Sequence, residues 1–127
     1  MNDLEDDDRP DEVESELAEK MEYTAQLKAA ILRLHGCESD YAGREDVIET
    51  FEGELVWSGY VEIFNLRGHP KAKRCYAWSH FTGEGDGKRY VVVLELPPVT
   101  SPETAVRAAI MAEIKSVREE IKKGRPS

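Results

Sequence analysis

The sequence predicts an α+β domain of order α-β-β-β-α, a three-stranded antiparallel sheet packed on two helices. Three observations carry this. Apolar residues recur at helical spacing from Val13 to Ile31 and again from Val106 to Ile121, alternate from Leu55 to Ile63, and are separated by glycine- and proline-rich turns. Strands joined by such short turns pair antiparallel, because a parallel crossover takes roughly a dozen residues or more. Both helices are then expected on one face of the sheet, giving a two-layer domain.

A chain of 127 residues holds one compact domain, here assigned to residues 12–124 and preceded by an acidic, unstructured tail over residues 1–11. The net charge of −9 is not spread evenly. Met1 to Glu22 carries eleven acids against Arg9 and Lys20, whereas the rest of the chain carries 15 acids and 15 bases. An acidic segment on a neutral body either stays solvated or covers a cationic face and competes with an anionic partner for it. No apolar run reaches the roughly 18 to 20 residues that span a bilayer, and the first residues, MNDLEDDDRP, lack the basic and apolar parts of a signal peptide. A cytoplasmic setting without membrane contact is expected. Two cysteines, Cys37 and Cys75, are too few for a disulfide framework and fit a reducing compartment.

In the first helix, Val13, Leu17, Met21, Ala25, Lys28 and Ile31 form a stripe flanked by Leu27 and Leu34, and Gly36 is the expected C-cap. Residues 37–53 carry no clear period; Ser39-Asp40 reads as a cap and Arg44 to Phe51 as one or two helical turns. From Glu54 the period is two. Leu55, Trp57, Val61 and Ile63 form the expected core face, and Gly59 marks a bulge or a close approach. Lys71 to Phe81 reads as the second strand. Lys88 to Leu96 reads as the third, well buried and either central or covered on both faces, after a hairpin turn in TGEGDGK. In the second helix Thr100 or Ser101 is the N-cap, Pro102 fits the first turn, and Glu103 completes a capping box with Thr100. Val106, Ala109, Ile110, Ile114, Val117 and Ile121 are expected to face the sheet, with Lys115, Arg118, Lys122 and Lys123 toward the C-terminus.

The α-β-β-β-α order, with Gly68-His69-Pro70 after the first strand and the alanine-rich SPETAVRAAIMAEI in the second helix, resembles the double-stranded-RNA-binding domain. That family has a histidine in its first strand-to-strand loop and binds RNA through a lysine cluster at the start of its second helix. This chain has Pro102, Glu103 and Thr104 there, with Arg107 nearby, so the resemblance implies the fold and not RNA binding. The segments WSGYVEIFNLRGHPKAKRCYAW and VVVLELPPVTSPETAVRAAI also resemble a group of small bacterial proteins without an established activity, which implies a bacterial setting and no catalytic residue.

The candidate binding residues lie in and after the turn: Arg67, His69, Lys71, Lys73, Arg74, Tyr76 and Trp78, with Lys88 and Arg89 as neighbours. The cations either bind a partner or protect a strand edge. Arg74, Tyr76, Trp78 and His80 share one face of a strand, an aromatic platform where open and core where covered. Cys75 and His80 fall on opposite faces, so no metal site or nucleophile–base pair is expected, and Gly83, Gly85 and Gly87 precede a strand where a phosphate loop would precede a helix. The expected function is a protein-interaction or self-association module without catalysis and without a cofactor. The alternatives are a nucleic-acid-binding domain using residues 67–74, and a small-molecule site between sheet and helices around Trp57, Tyr60 and Trp78.

Overall fold

The computed structural model describes the backbone of residues 3–81 and 87–124 and the side chains of residues 13–81 and 87–119. The order is α1 (Asp3–His35), β1 (Glu38–Phe51), β2 (Glu54–Arg67), β3 (Arg74–Phe81), β4 (Lys88–Leu94), α2 (Pro102–Gly124). The class is α+β, but the antiparallel sheet has four strands in the order β1-β2-β3-β4. Helix α1 begins inside the segment expected as an acidic tail, and its side chains before Val13 lie outside the described residues, as does the hairpin turn at residues 82–86.

The additional strand is β1, where the sequence suggested helical turns. Of its three buried side chains, Ser39, Val47 and Glu49, only Val47 is apolar, so the alternation that marks a half-buried strand is missing. The strand is held by its register with β2, from Glu38↔Arg67 to Phe51↔Glu54. Its charged residues sit on a sheet edge, where they discourage further pairing. The β1–β2 connection has two central residues, Glu52 and Gly53, with φ of 52° and 82°. Positive φ at both is the type I′ geometry whose twist matches the strands it joins.

The helices lie on opposite faces of the sheet, so the domain has three layers and the expected two-layer packing is corrected. Under α1, Leu27 and Ile31 pack with Cys37, Phe64, Cys75 and Ala77. Under α2, Ala105 and Val106 pack with Val47, Val61, Tyr76 and Trp78. Strand β4 is an edge. Its unbroken apolar run reflects helices on both faces, since Val91 and Val93 pack on the α2 side and Tyr90, Val92 and Leu94 on the α1 side. Each of these five is half-buried.

Two helix ends follow the sequence reading with one change. The Gly36 amide donates to the Leu32 carbonyl at 2.8 Å, closing α1 with a left-handed cap at φ 69°. At the start of α2 the capping box uses Ser101 and Thr104, not Thr100 and Glu103. The Thr104 amide donates to Ser101 Oγ at 3.2 Å, and the Ser101 amide donates to Thr104 Oγ1 at 2.9 Å.

Candidate functional site

The residues singled out around the basic turn divide into four groups. Arg67 is paired with Asp40 across the β1–β2 register, with Nε–Oδ2 at 2.8 Å. His69 organises its own turn: Nδ1 accepts the amides of Lys71 at 3.0 Å and Ala72 at 2.9 Å, which makes Nδ1 the unprotonated nitrogen. Lys71, Lys73 and Arg74 remain exposed. Tyr76 and Trp78 are core residues, 1% and 4% exposed, covered by α2. The open aromatic platform is therefore absent: Arg74 lies close enough to the Tyr76 hydroxyl to interact with it, but the rings of Tyr76 and Trp78 are buried away from Lys71 and Lys73. The Tyr76 hydroxyl donates to Glu95 Oε2, and burial followed by that carboxylate raises it to about 12.

Buried polar groups that the sequence reading did not single out sit on both faces. Glu62, 3% exposed, receives Arg44 through Nη2 at 2.9 Å and Nε at 3.3 Å, and the Tyr41 hydroxyl at 2.8 Å. Arg44 also stacks on the Tyr60 ring, 4.5 Å from its centroid. A glutamate inside the apolar run of β2 was the available signal. On the other face Glu49 accepts from Arg107 Nε at 2.8 Å and ties α2 to β1. These pairs fasten elements together. Cys37 and Cys75 are free and buried, and burial first, then the neighbouring Cys37, raises the Cys75 thiol to about 12. A thiol held neutral in this way is a poor nucleophile. Among the described residues no group of three or more His, Cys, Asp or Glu side chains could hold a metal ion.

A cleft of about 1000 Å³ opens between α2 and the β3–β4 edge. Trp57, Trp78, Val91 and Val93 line it together with Ile110 and Val117, and His35, His80, Arg89, Glu113 and Ser116 supply its charged and polar groups. Tyr60, expected beside Trp57 in such a site, lies on the other face of β2 and is exposed.

Part of the exposed apolar surface lies toward one end of the sheet, while Leu32, Leu34 and Tyr41 are exposed elsewhere. Phe81 and Lys88 face each other at that end of the β3–β4 pair, and β2 runs on past its last pairing with β3, Glu62↔Ala77, to Glu54. Helix α1 enters from there: Tyr23 meets Ser79 and Lys88, while His35, at the helix terminus, meets His69 at the opposite end. Before Tyr23 the stripe of Val13, Leu17 and Met21 is exposed. Helix α2 lines the cleft through Ala108, Ala109, Ile110, Glu113 and Val117. Past Ile110 its expected core residues Ile114 and Val117 are exposed together with Met111. Ile48, Phe51, Leu55 and Val56 on the β1–β2 hairpin complete the surface.

These features define a three-layer α+β domain with an apolar end and a cleft. No protein-family model, curated protein or solved structure matches the chain. The α-β-β-β-β-α order has one strand more than the order on which the resemblance to the double-stranded-RNA-binding domain rests. No helix among the described residues is long and apolar enough to cross a membrane.

Proposed function

We propose that this chain is a protein-interaction module that works through its apolar end. The exposure of Leu17, Met21, Phe51 and Leu55 toward the Phe81–Lys88 end, together with that of Met111, Ile114 and Val117 on α2, carries the reading. Contiguous apolar surface on a soluble domain is costly to leave in water and marks an interaction site. The free, buried thiols of Cys37 and Cys75 suit a reducing bacterial cytoplasm. Nucleic-acid binding through residues 67–74 is the weaker alternative, because Arg67 and His69 are engaged within the fold and Tyr76 and Trp78 offer no stacking surface.

The test compares cross-linking of the wild-type chain in cells with that of a Leu17→Ser, Phe51→Ser, Ile114→Ser variant. Cross-linked protein, whether a second copy or another chain, is expected with wild type and lost with the variant at unchanged circular dichroism. Equal cross-linking by both would sink the reading.

A second reading rests on the cleft. Its apolar floor at Trp57 and Trp78 and its Arg89 rim suit a small amphipathic anion. A thermal-shift screen against a metabolite panel tests it, with stabilisation expected for wild type and reduced for Arg89→Ala. A flat result across the panel counts against it.

A further inference from the structure

We infer that the open edge of β4 pairs with β4 of a second copy of this chain, two-fold and antiparallel about Val92, joining two four-stranded sheets into one. This surface is separate from the apolar end. The two edges of the sheet differ. Strand β1 carries Glu38, Asp40, Arg44, Glu45 and Asp46 and two register shifts, which discourage pairing. Strand β4 pairs with β3 without a shift, and from Tyr90 to Leu94 it holds no charge, proline or glycine. Its side chains there stay half-buried after both helices have packed on them. Val91, Val92, Val93 and Leu94 line the cleft in succession, with α2 on one face and His35 of α1 on the other, so the cleft follows the strand edge from one side of the sheet to the other. A near-continuous apolar run is the composition of an interior strand, and a second β4 makes this strand interior.

The backbone is self-complementary. The Glu95 amide donates to the Arg74 carbonyl at 2.9 Å, continuing the β3–β4 ladder one residue beyond Cys75↔Leu94. Bonded and non-bonded pairs alternate along an antiparallel ladder, so Val91, Val93 and Glu95 bond to β3 while the amides of Tyr90, Val92 and Leu94 point outward. With Val92 on the axis, Val92 exchanges two hydrogen bonds with its own copy, and Tyr90 does so with Leu94. The Leu94 carbonyl already accepts the Leu96 amide and has a second lone pair for this.

Charge selects both the occupant and the register. A two-fold axis sets residues of one face opposite each other, so it centres on a residue. Centred on Val92, Arg89 falls opposite Glu95 of the second copy, twice per dimer and on the α2 face, with Val91 opposite Val93 between them. Glu95 already holds the Tyr76 hydroxyl through Oε2, which keeps its carboxylate in place. Centring on Val91 sets Arg89 against Val93, and centring on Val93 sets Glu95 against Val91. A foreign peptide strand has no fixed acid for Arg89, whereas a second copy supplies one on each side of the axis. The Phe81–Lys88 ends of the two copies then point in opposite directions.

Sedimentation velocity of the full-length chain over a concentration series, with amide hydrogen exchange read by NMR at both ends of the series, tests this. Wild type is expected to dimerise. The amides of Tyr90, Val92 and Leu94 are expected to exchange slowly in the dimer and fast in the monomer, and those of Val91 and Val93 slowly in both. Arg89→Glu, which sets like charges opposite each other, is expected to weaken the dimer about tenfold, and Arg89→Glu with Glu95→Arg to restore it. Circular dichroism verifies that each variant folds, and the exchange pattern of wild type decides the matter without them. A monomer at every concentration, a dimer that leaves those three amides unprotected, or a dimer indifferent to Arg89→Glu overturns the edge pairing. A folded double variant that stays as weak as Arg89→Glu overturns it too. The Leu17→Ser, Phe51→Ser, Ile114→Ser variant leaves β4 intact and is expected to keep this dimer, so the cross-linking comparison is scored on species beyond it. A dimer lost in that variant belongs to the apolar end and overturns the edge pairing alone.

Discussion

Trp57 and Trp78 meet edge to face, with ring centroids 5.6 Å apart and planes at 66°. This contact joins adjacent strands on the face that α2 closes. Aromatic pairs in this arrangement contribute about 0.5–1.5 kcal/mol beyond the area they bury. Iodide quenching of Trp57→Phe and Trp78→Phe variants checks the geometry. Trp78 is expected to be protected and Trp57, half-buried on the cleft floor, partly accessible. Strong quenching of Trp78 would contradict the packing.

Gly59 is coupled to the same contact. A Cβ there would stand 3.2 Å from Trp57 Cη2, so the ring has to give way. Gly59→Ala is expected to destabilise the fold by about 1 kcal/mol, an overpacking cost. In a Trp57→Phe background, which lacks that ring edge, most of the cost is expected to vanish. Urea denaturation of the four chains in the cycle reads the coupling directly.

The Arg44–Glu62 pair is asymmetric, because Glu62 is buried and the Arg44 side chain is 39% exposed. Glu62→Gln frees Arg44 to solvent and keeps a hydrogen-bond acceptor for Tyr41, so a loss of about 1 kcal/mol is expected. Arg44→Met leaves a buried carboxylate with Tyr41 as its remaining donor among these three, and a loss of about 2–3 kcal/mol is expected. Equal losses in denaturant melts would show that Glu62 is solvated.

Alkaline pH is expected to destabilise the fold through Tyr76. Its pKa rises from 10.0 in the unfolded chain to about 12 in the folded one, by burial and then by Glu95. The folded state therefore holds its proton more tightly. That contribution is fully present below pH 10 and is lost as pH rises through about 12. The urea midpoint of wild type should fall over this window, and that of Tyr76→Phe should fall less.

Thiol reactivity gives a further check. Cys37 and Cys75 are buried, and the Cys75 thiol is pushed up to about 12, so a disulfide reagent at pH 8 should modify neither in the folded chain at an appreciable rate. In urea both should react at once. Fast labelling of the native chain would place a thiol at the surface.

The sequence made the helices, β2, β3 and β4 legible because the helices and β2 carry a periodic apolar signal and β3 and β4 are apolar segments flanking a glycine-rich turn. Strand β1 carries none, being a polar edge held by backbone pairing around Val47. The two-face packing was hidden for a related reason: Phe64, Cys75 and Ala77 bury one side of the central strands and Val61, Tyr76 and Trp78 the other, so parity alone names no single core face. The site was legible in part. The alternative that Tyr76 and Trp78 are core was available from residue type, but the roles of His69 in its turn and of Arg67 with Asp40 depend on chain geometry. The exposed half of α2 was disguised as core, since Ile114 and Val117 continue the stripe of Val106.

The long reach of α1 has a consequence for synthesis. Tyr23 is bonded to Ser79 and Gln26 to Tyr90, partners 56 and 64 positions later in the chain. A helix made first must therefore wait for most of the polypeptide to leave the ribosome before Leu27 and Ile31 find cover. During that interval its acidic residues keep an uncovered amphipathic segment dissolved. A nascent chain stalled before Tyr90 would present that face to chaperones.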